Sequence, residues 1–145
     1  MMTAMQMIGH LSGGWAGDHF SKRVICAVCL VAHATALFVL AFAASFAMVA
    51  AFAVLHGLAW GVRGPLMSAI RADYFGRAAI GMILGLSYLI IVVGQVGGPM
   101  IAGIMADVTG DYRAGFTILA LLAGIGSFFF LLARRPSRPL RAPAG

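Results

Sequence analysis

Apolar residues in this chain come in runs of membrane-crossing length, broken by short polar knots that hold nearly every charge. From Val24 to Val62 there are 39 residues without Asp, Glu, Lys or Arg. As one helix this run would reach about 58 Å, roughly twice the hydrocarbon thickness of a bilayer. It must fold back, and the reversal is predicted at "FAASFA", residues 42 to 47, giving spans over about residues 24–43 and 45–62. The segment "RGPLMSAIRADYFGRA" that follows is predicted as a loop. The next run, Ile80 to Ala106, has 27 residues and carries Gly94, Gly97, Gly98 and Pro99, which predicts tilt or a kink. A further span is expected over residues 114–133, and residues 1–16 read as the back end of a short first span. The expected fold is therefore all-α: a polytopic transmembrane helix bundle over residues 1–133, with about four full spans plus a partial or short first one. Residues 134–145, "RRPSRPLRAPAG" with the preceding alanine excluded, are expected to form a disordered basic tail.

Composition agrees with this pattern. The chain has 145 residues, 62% hydrophobic and 10% charged, and a mean hydropathy of +1.00. That is more apolar surface than a soluble domain of this size can bury. A net charge of +6 raises the question of nucleic acid, but the bases sit in short clusters between apolar runs and form no basic face, so no nucleic-acid partner is expected. Topology explains them instead. Lys22 and Arg23, then Arg63, Arg71 and Arg77, then Arg134, Arg135, Arg138 and Arg141 fall on one side of the predicted bundle, leaving Arg113 opposite. By the positive-inside rule this puts the N-terminus outside and the C-terminal tail in the cytoplasm, near anionic lipid headgroups, in a membrane of the bacterial inner (plasma) type.

Two of the polar knots resemble each other. "GDHFSKR" (17 to 23) and "ADYFGRA" (72 to 78) share Asp, aromatic, Phe, a small residue and a base, 55 residues apart, a hint of internal duplication of the kind found in transporters. The first knot also resembles the signature inside loop of the major facilitator superfamily of secondary transporters, G-x-x-x-D-[RK]-x-G-[RK]-[RK]. Gly14, Asp18, Lys22 and Arg23 match it, and His19 and Ser21 depart from it. "RGPLMSAIRADYFGR" is similar to the family's inside loop between the tenth and eleventh helices. "GPMIAGIMADVTGDYRAGF" is similar to the end of the eleventh helix, the outside loop and the start of the twelfth. The resemblance implies that the chain is the C-terminal part of such a transporter, from the end of the eighth helix through the twelfth, half of a major-facilitator-type fold. It also implies that Gly14, Asp18, Lys22 and Arg23 form a gating loop, with Asp73 and Arg77 a second inside-loop motif. In the family the signature aspartate faces a helix N-terminus of the other half, a contact favoured by the helix dipole. The local alternative for Asp18 is an i+4 pair with Lys22.

Other candidates lie within the spans. Gly9 with Gly13 and Gly17, Gly57 with Gly61, and Gly81 with Gly85 have the G-x-x-x-G spacing that lets helices approach closely. Gln95, near the middle of its span, is a candidate cavity-lining or helix-bridging residue. His33 and His56 would sit at similar depth in a hairpin and are candidate cavity-lining residues, and His10 lies in the first apolar run. Cys26 and Cys29 read as two reduced thiols of a membrane helix, and no metal site or cofactor is expected. No Asp, Glu, Lys or Arg is expected deep in any span, so neither a coupling carboxylate nor a substrate-pairing cation is predicted. A nucleophile elbow, phosphate loop, zinc spacing and carboxylate pair are all missing from the sequence, and Ser68 and Ser87 are isolated, so no enzyme is expected.

The expected function is part of a secondary active transporter that moves a small organic solute by alternating access. Membrane lipid is one expected partner. The solute would bind only once the missing half is supplied, by a homodimer or by a separately encoded N-terminal half. The alternative is a truncated, non-transporting membrane polypeptide that acts only in helix–helix association or persists as a remnant.

Overall fold

The computed structural model describes residues 1–76 and 80–132, and these form five helices with no strand among them. They are α1 (Met2–His19), α2 (Lys22–Ala41), α3 (Phe46–Phe75), α4 (Ile80–Thr109) and α5 (Arg113–Leu132). The last four are long and apolar enough to cross a membrane. α1 is shorter, at 18 residues, and carries Gln6, His10, Asp18 and His19. Arg77 and the tail from residue 134 onward, with Arg134, Arg135, Arg138 and Arg141, lie outside the described residues.

Local chemistry marks most of the helix ends. After α2 the chain reverses over four residues, and Ser45 Oγ accepts the Met48 N–H at 3.4 Å to cap the start of α3. α3 stops at Gly76 (φ 78°) and α4 at Gly110 (φ 82°), left-handed positions where a side chain would be strained. Their N–H groups bond to the carbonyls of Ala72 and Ala106. Asp111 Oδ1 then accepts the Arg113 N–H at 2.9 Å at the start of α5.

The expected end of the third span near residue 62 is corrected. α3 runs for 30 residues, through Arg63, Gly64 and Pro65, so most of the segment predicted as a loop is helical. Proline removes a backbone donor and disfavours a helical residue before it, which is why Arg63-Gly64-Pro65 reads as a stop. Burial beyond the proline carries the helix on: Leu66 and Ile70 pack in a core cluster with Cys26 of α2. α4 likewise continues through Pro99.

Cross-helix contacts give the topology. Gly9 meets Gly61 and Gly17 meets Leu66, so α1 and α3 run parallel. The His33–His56 contact and the Lys22–Asp73 pair set α2 antiparallel to α3. Ser127 donates to the Ala27 carbonyl at 2.9 Å, a buried bond that sets α5 antiparallel to α2, and Gly115 sits against Ala102 of α4. Lys22, Arg23 and Arg71 therefore gather at one end of the bundle and Arg113 lies at the other.

α1 and α3 touch backbone to backbone. A Cβ on Gly9 would lie 2.7 Å from the Leu58 carbonyl oxygen, one on Gly13 2.8 Å from that of Val62, and one on Gly57 2.7 Å from that of Met2. Gly61 is equally tight against Gln6 and Gly9. Only glycine permits such an approach. Gly81 and Gly85 differ from the expectation for them: a Cβ on either would meet nothing within 4 Å among the described residues.

Candidate functional site

At the basic end of the bundle the two similar polar knots meet. Lys22 Nζ donates to Asp73 Oδ2 at 2.8 Å, joining the start of α2 to the last turns of α3. This corrects the i+4 pairing of Asp18 with Lys22. Asp18 lies in the last turn of α1 with its side chain in the open, whereas α3, extended past Pro65, brings Asp73 within reach of Lys22. Arg23 donates from Nη2 to the carbonyl of Leu131, tying α2 to the end of α5. Gly14 has open space around it. Of the four residues of the matched loop, Lys22 and Arg23 thus lock helices together within the chain, while Gly14 and Asp18 face outward.

A cavity of about 800 Å³ opens between α3, α4 and α5. Its walls are mainly apolar, with His56 and Trp60 from α3, Gln95, Gly98 and Pro99 from α4, and Tyr112 and Phe116 from the far end. Pro99 has no N–H to offer the carbonyl of Gln95 one turn earlier, so the side-chain amide and a backbone acceptor coincide at the same level of the wall. Cavities of this size and polarity are typical of small-molecule sites.

His33 and His56 come together beside this cavity, with ring centroids 4.4 Å apart. His33 Nδ1 donates to the Cys29 carbonyl at 2.9 Å, which leaves Nε2 as an acceptor. His33 Nε2 and His56 Nδ1 are buried without a hydrogen-bond partner among the described residues. Cys26 and Cys29 are buried free thiols one to two turns away. Among the described residues no group of three or more His, Cys, Asp or Glu could hold a metal ion.

A second cavity, of about 420 Å³, lies between α1, α3 and α4 and shares Trp60 with the first. Arg63, Arg71, Ser68, His10 and Tyr88 line it. The Arg63 guanidinium sits 5.1 Å from the centre of the Trp60 ring, within cation–π range. Arg63 was expected in a loop. It stands instead inside α3, with twelve helical residues beyond it. The loop expected at this position is corrected accordingly. The signal that could have found it is the apolar pair Leu66 and Ile70, which continue the helical spacing past the proline.

The family model described as "Major Facilitator Superfamily" matches residues 1–145. Among curated relatives, monocarboxylate transporter 13 of Rattus norvegicus is 30% identical over 145 residues, covering 92% of this chain and 33% of the relative. Monocarboxylate transporter 12 of Xenopus laevis is 27% identical over 133 residues, covering 89% of this chain and 28% of its own length. A multidrug resistance protein B homolog of Mycobacterium tuberculosis is 27% identical over 92 residues, covering 63% and 17%. The chain spans about a third or less of each of these relatives. No solved structure matches it.

Proposed function

This chain belongs to the major facilitator superfamily, and from that premise we propose that it forms the C-terminal part of a secondary transporter that moves a small organic solute by alternating access. It is a multi-pass membrane protein, and its relatives are transporters rather than enzymes. The observation that carries the proposal is the cavity between α3, α4 and α5. It brings His56, Trp60 and Gln95 together between packed helices, α4 carrying Gly98 and Pro99 at the same wall, a place where small-molecule sites are commonly built. The names of the rat and frog relatives favour a monocarboxylate as the solute.

On this reading the basic end faces the cytoplasm, which puts the N-terminus outside, in a bacterial inner membrane. Gly14, Asp18, Lys22 and Arg23, with Asp73, form the inside gate. The Lys22–Asp73 pair and the Arg23 contact with Leu131 hold this bundle rigid, and the outward Asp18 is free to meet a helix N-terminus of the other half. A contact that forms in one state and breaks in the other biases the equilibrium between them.

The test is solute uptake in membrane vesicles from cells that express the chain from its native locus, compared with vesicles from a deletion strain. Saturable, gradient-driven uptake of L-lactate is expected in the first and not in the second. Equal uptake of a panel of anionic and neutral solutes in both would contradict the proposal. Orientation is read separately, with a membrane-impermeant thiol reagent added outside intact cells. It should modify Asp111→Cys and spare Ser21→Cys, and the reverse pattern would invert the topology.

A further inference from the structure

We propose that the cavity between α1, α3 and α4 binds the carboxylate of a small organic anion, with Arg63 as its main ion-pairing residue and Arg71 as the second. The proposal rests on the transporter reading above and assigns that function a site which neither the sequence pattern nor the relatives indicate. Two guanidinium groups line one cavity of about 420 Å³, and no Asp or Glu lines it with them. Elsewhere in the bundle Lys22 pairs with Asp73 and Arg113 with Asp111, whereas the lining of this cavity brings no carboxylate to Arg63. An arginine inside a membrane-spanning helix is costly unless it is paired, and one of this kind marks a solute pathway. Two arginines facing the same space repel each other until an anion enters.

The geometry suits a carboxylate in particular. Trp60 underlies the Arg63 guanidinium at 5.1 Å and so limits its motion, leaving the planar N–H fork to meet two oxygens side by side. Ser68 on α3 itself and Tyr88 on the facing α4 supply hydroxyl donors. His10 plays a different part. Its Nδ1 is engaged with the Gln6 carbonyl at 2.7 Å, so in the neutral ring the remaining nitrogen is an acceptor and forms wall rather than anion ligand. Trp60 also borders the larger cavity, so an anion held by Arg63 sits next to the His56 and Gln95 chamber.

Trp60 provides the readout. The full chain with Trp15→Phe, placed in phosphatidylcholine nanodiscs, is titrated with sodium acetate, L-lactate and benzoate, and with the corresponding neutral amides, at constant ionic strength set by sodium chloride. Saturable change in Trp60 fluorescence is expected for at least one carboxylate and for none of the amides. Arg63→Gln should raise the apparent Kd at least tenfold, Arg71→Gln severalfold, and Arg63→Lys should restore part of the loss. Arg113→Gln, at the opposite end, should titrate like the parent.

The proposal is overturned if Arg63→Gln titrates like the parent, if amides saturate as carboxylates do, or if no carboxylate saturates. It is also overturned if the fluorescence responds only when phosphatidylglycerol is added to the disc, which would make the cavity a lipid-headgroup site. Far-ultraviolet circular dichroism of each variant separates lost binding from lost folding. Vesicle uptake keeps the two proposals apart. Lactate uptake that survives Arg63→Gln at the parental KM removes the site and leaves the transporter, whereas absence of uptake in the parent removes the transporter.

Discussion

α3 presents two unlike sides. Toward α1 it is closed: Gly57 and Gly61 meet Gly9, Gly13 and the backbone of the first helix with no room for a methyl group. Toward α4 it is open: two cavities separate the helices, and the one buried residue of α4, Ala102, is held against Gly115 of α5 instead. Both α3 and α4 carry glycine at four-residue spacing, so spacing alone does not decide packing. What decides it is whether the partner also offers backbone at that level. Small residues on both α1 and α3 create the seam, while a Cβ on any glycine of α4 would meet nothing within 4 Å among the described residues. The closed side ties α1 to α3 backbone against backbone, and the open side leaves polar groups on the cavity walls.

Substitutions can break or sharpen this contrast. The largest effect is expected from Gly61→Leu, which drives a side chain into the α1 backbone and should cost roughly 3 kcal/mol, the upper part of the range for overpacking. The matching change on the open side, Gly98→Leu, should cost less than about 0.5 kcal/mol. Thermal unfolding in detergent measures both, and equal losses would erase the contrast. Next is Ser127→Ala, which leaves the Ala27 carbonyl without its buried donor and should cost about 1 kcal/mol in the same assay. The Lys22–Asp73 pair comes third. Both side chains are partly exposed, so a double-mutant cycle with Lys22→Gln and Asp73→Asn should give a coupling of about 0.2 to 1 kcal/mol that shrinks with added salt. The smallest effect is expected for Gly81→Ala, neutral or stabilising by up to about 0.5 kcal/mol, since its Cβ enters open space and alanine favours the helix. A clear loss there would reveal a packing partner on α4.

Much of the architecture was legible because membrane thickness limits helix length. The reversal between α2 and α3 follows from a run too long for one crossing, and the predicted 42–47 turn brackets the observed one. The meeting of His33 and His56 follows from the antiparallel hairpin this forces. The end of α3 was not legible, because proline chemistry is local while the burial of Leu66 and Ile70 that overrides it comes from α1 and α2. The partner of Lys22 was missed for the same reason. Its neighbour in sequence is Asp18, but the register of α2 against α3 selects Asp73, and that register depends on contacts far apart in the chain. Arg63, the residue on which the anion site depends, was concealed by the same misplaced helix end.

Water access to the two sides of α3 tests the central claim most directly. In a background with Cys26→Ser and Cys29→Ser, a membrane-impermeant thiol reagent is applied to open membrane fragments carrying Ser68→Cys, Gln95→Cys or Leu66→Cys. The account predicts rapid labelling of the first two, which face the cavities, and protection of the third, which is buried between α3 and its neighbours. Equal labelling at all three positions, or labelling of Leu66→Cys ahead of Ser68→Cys, would contradict it.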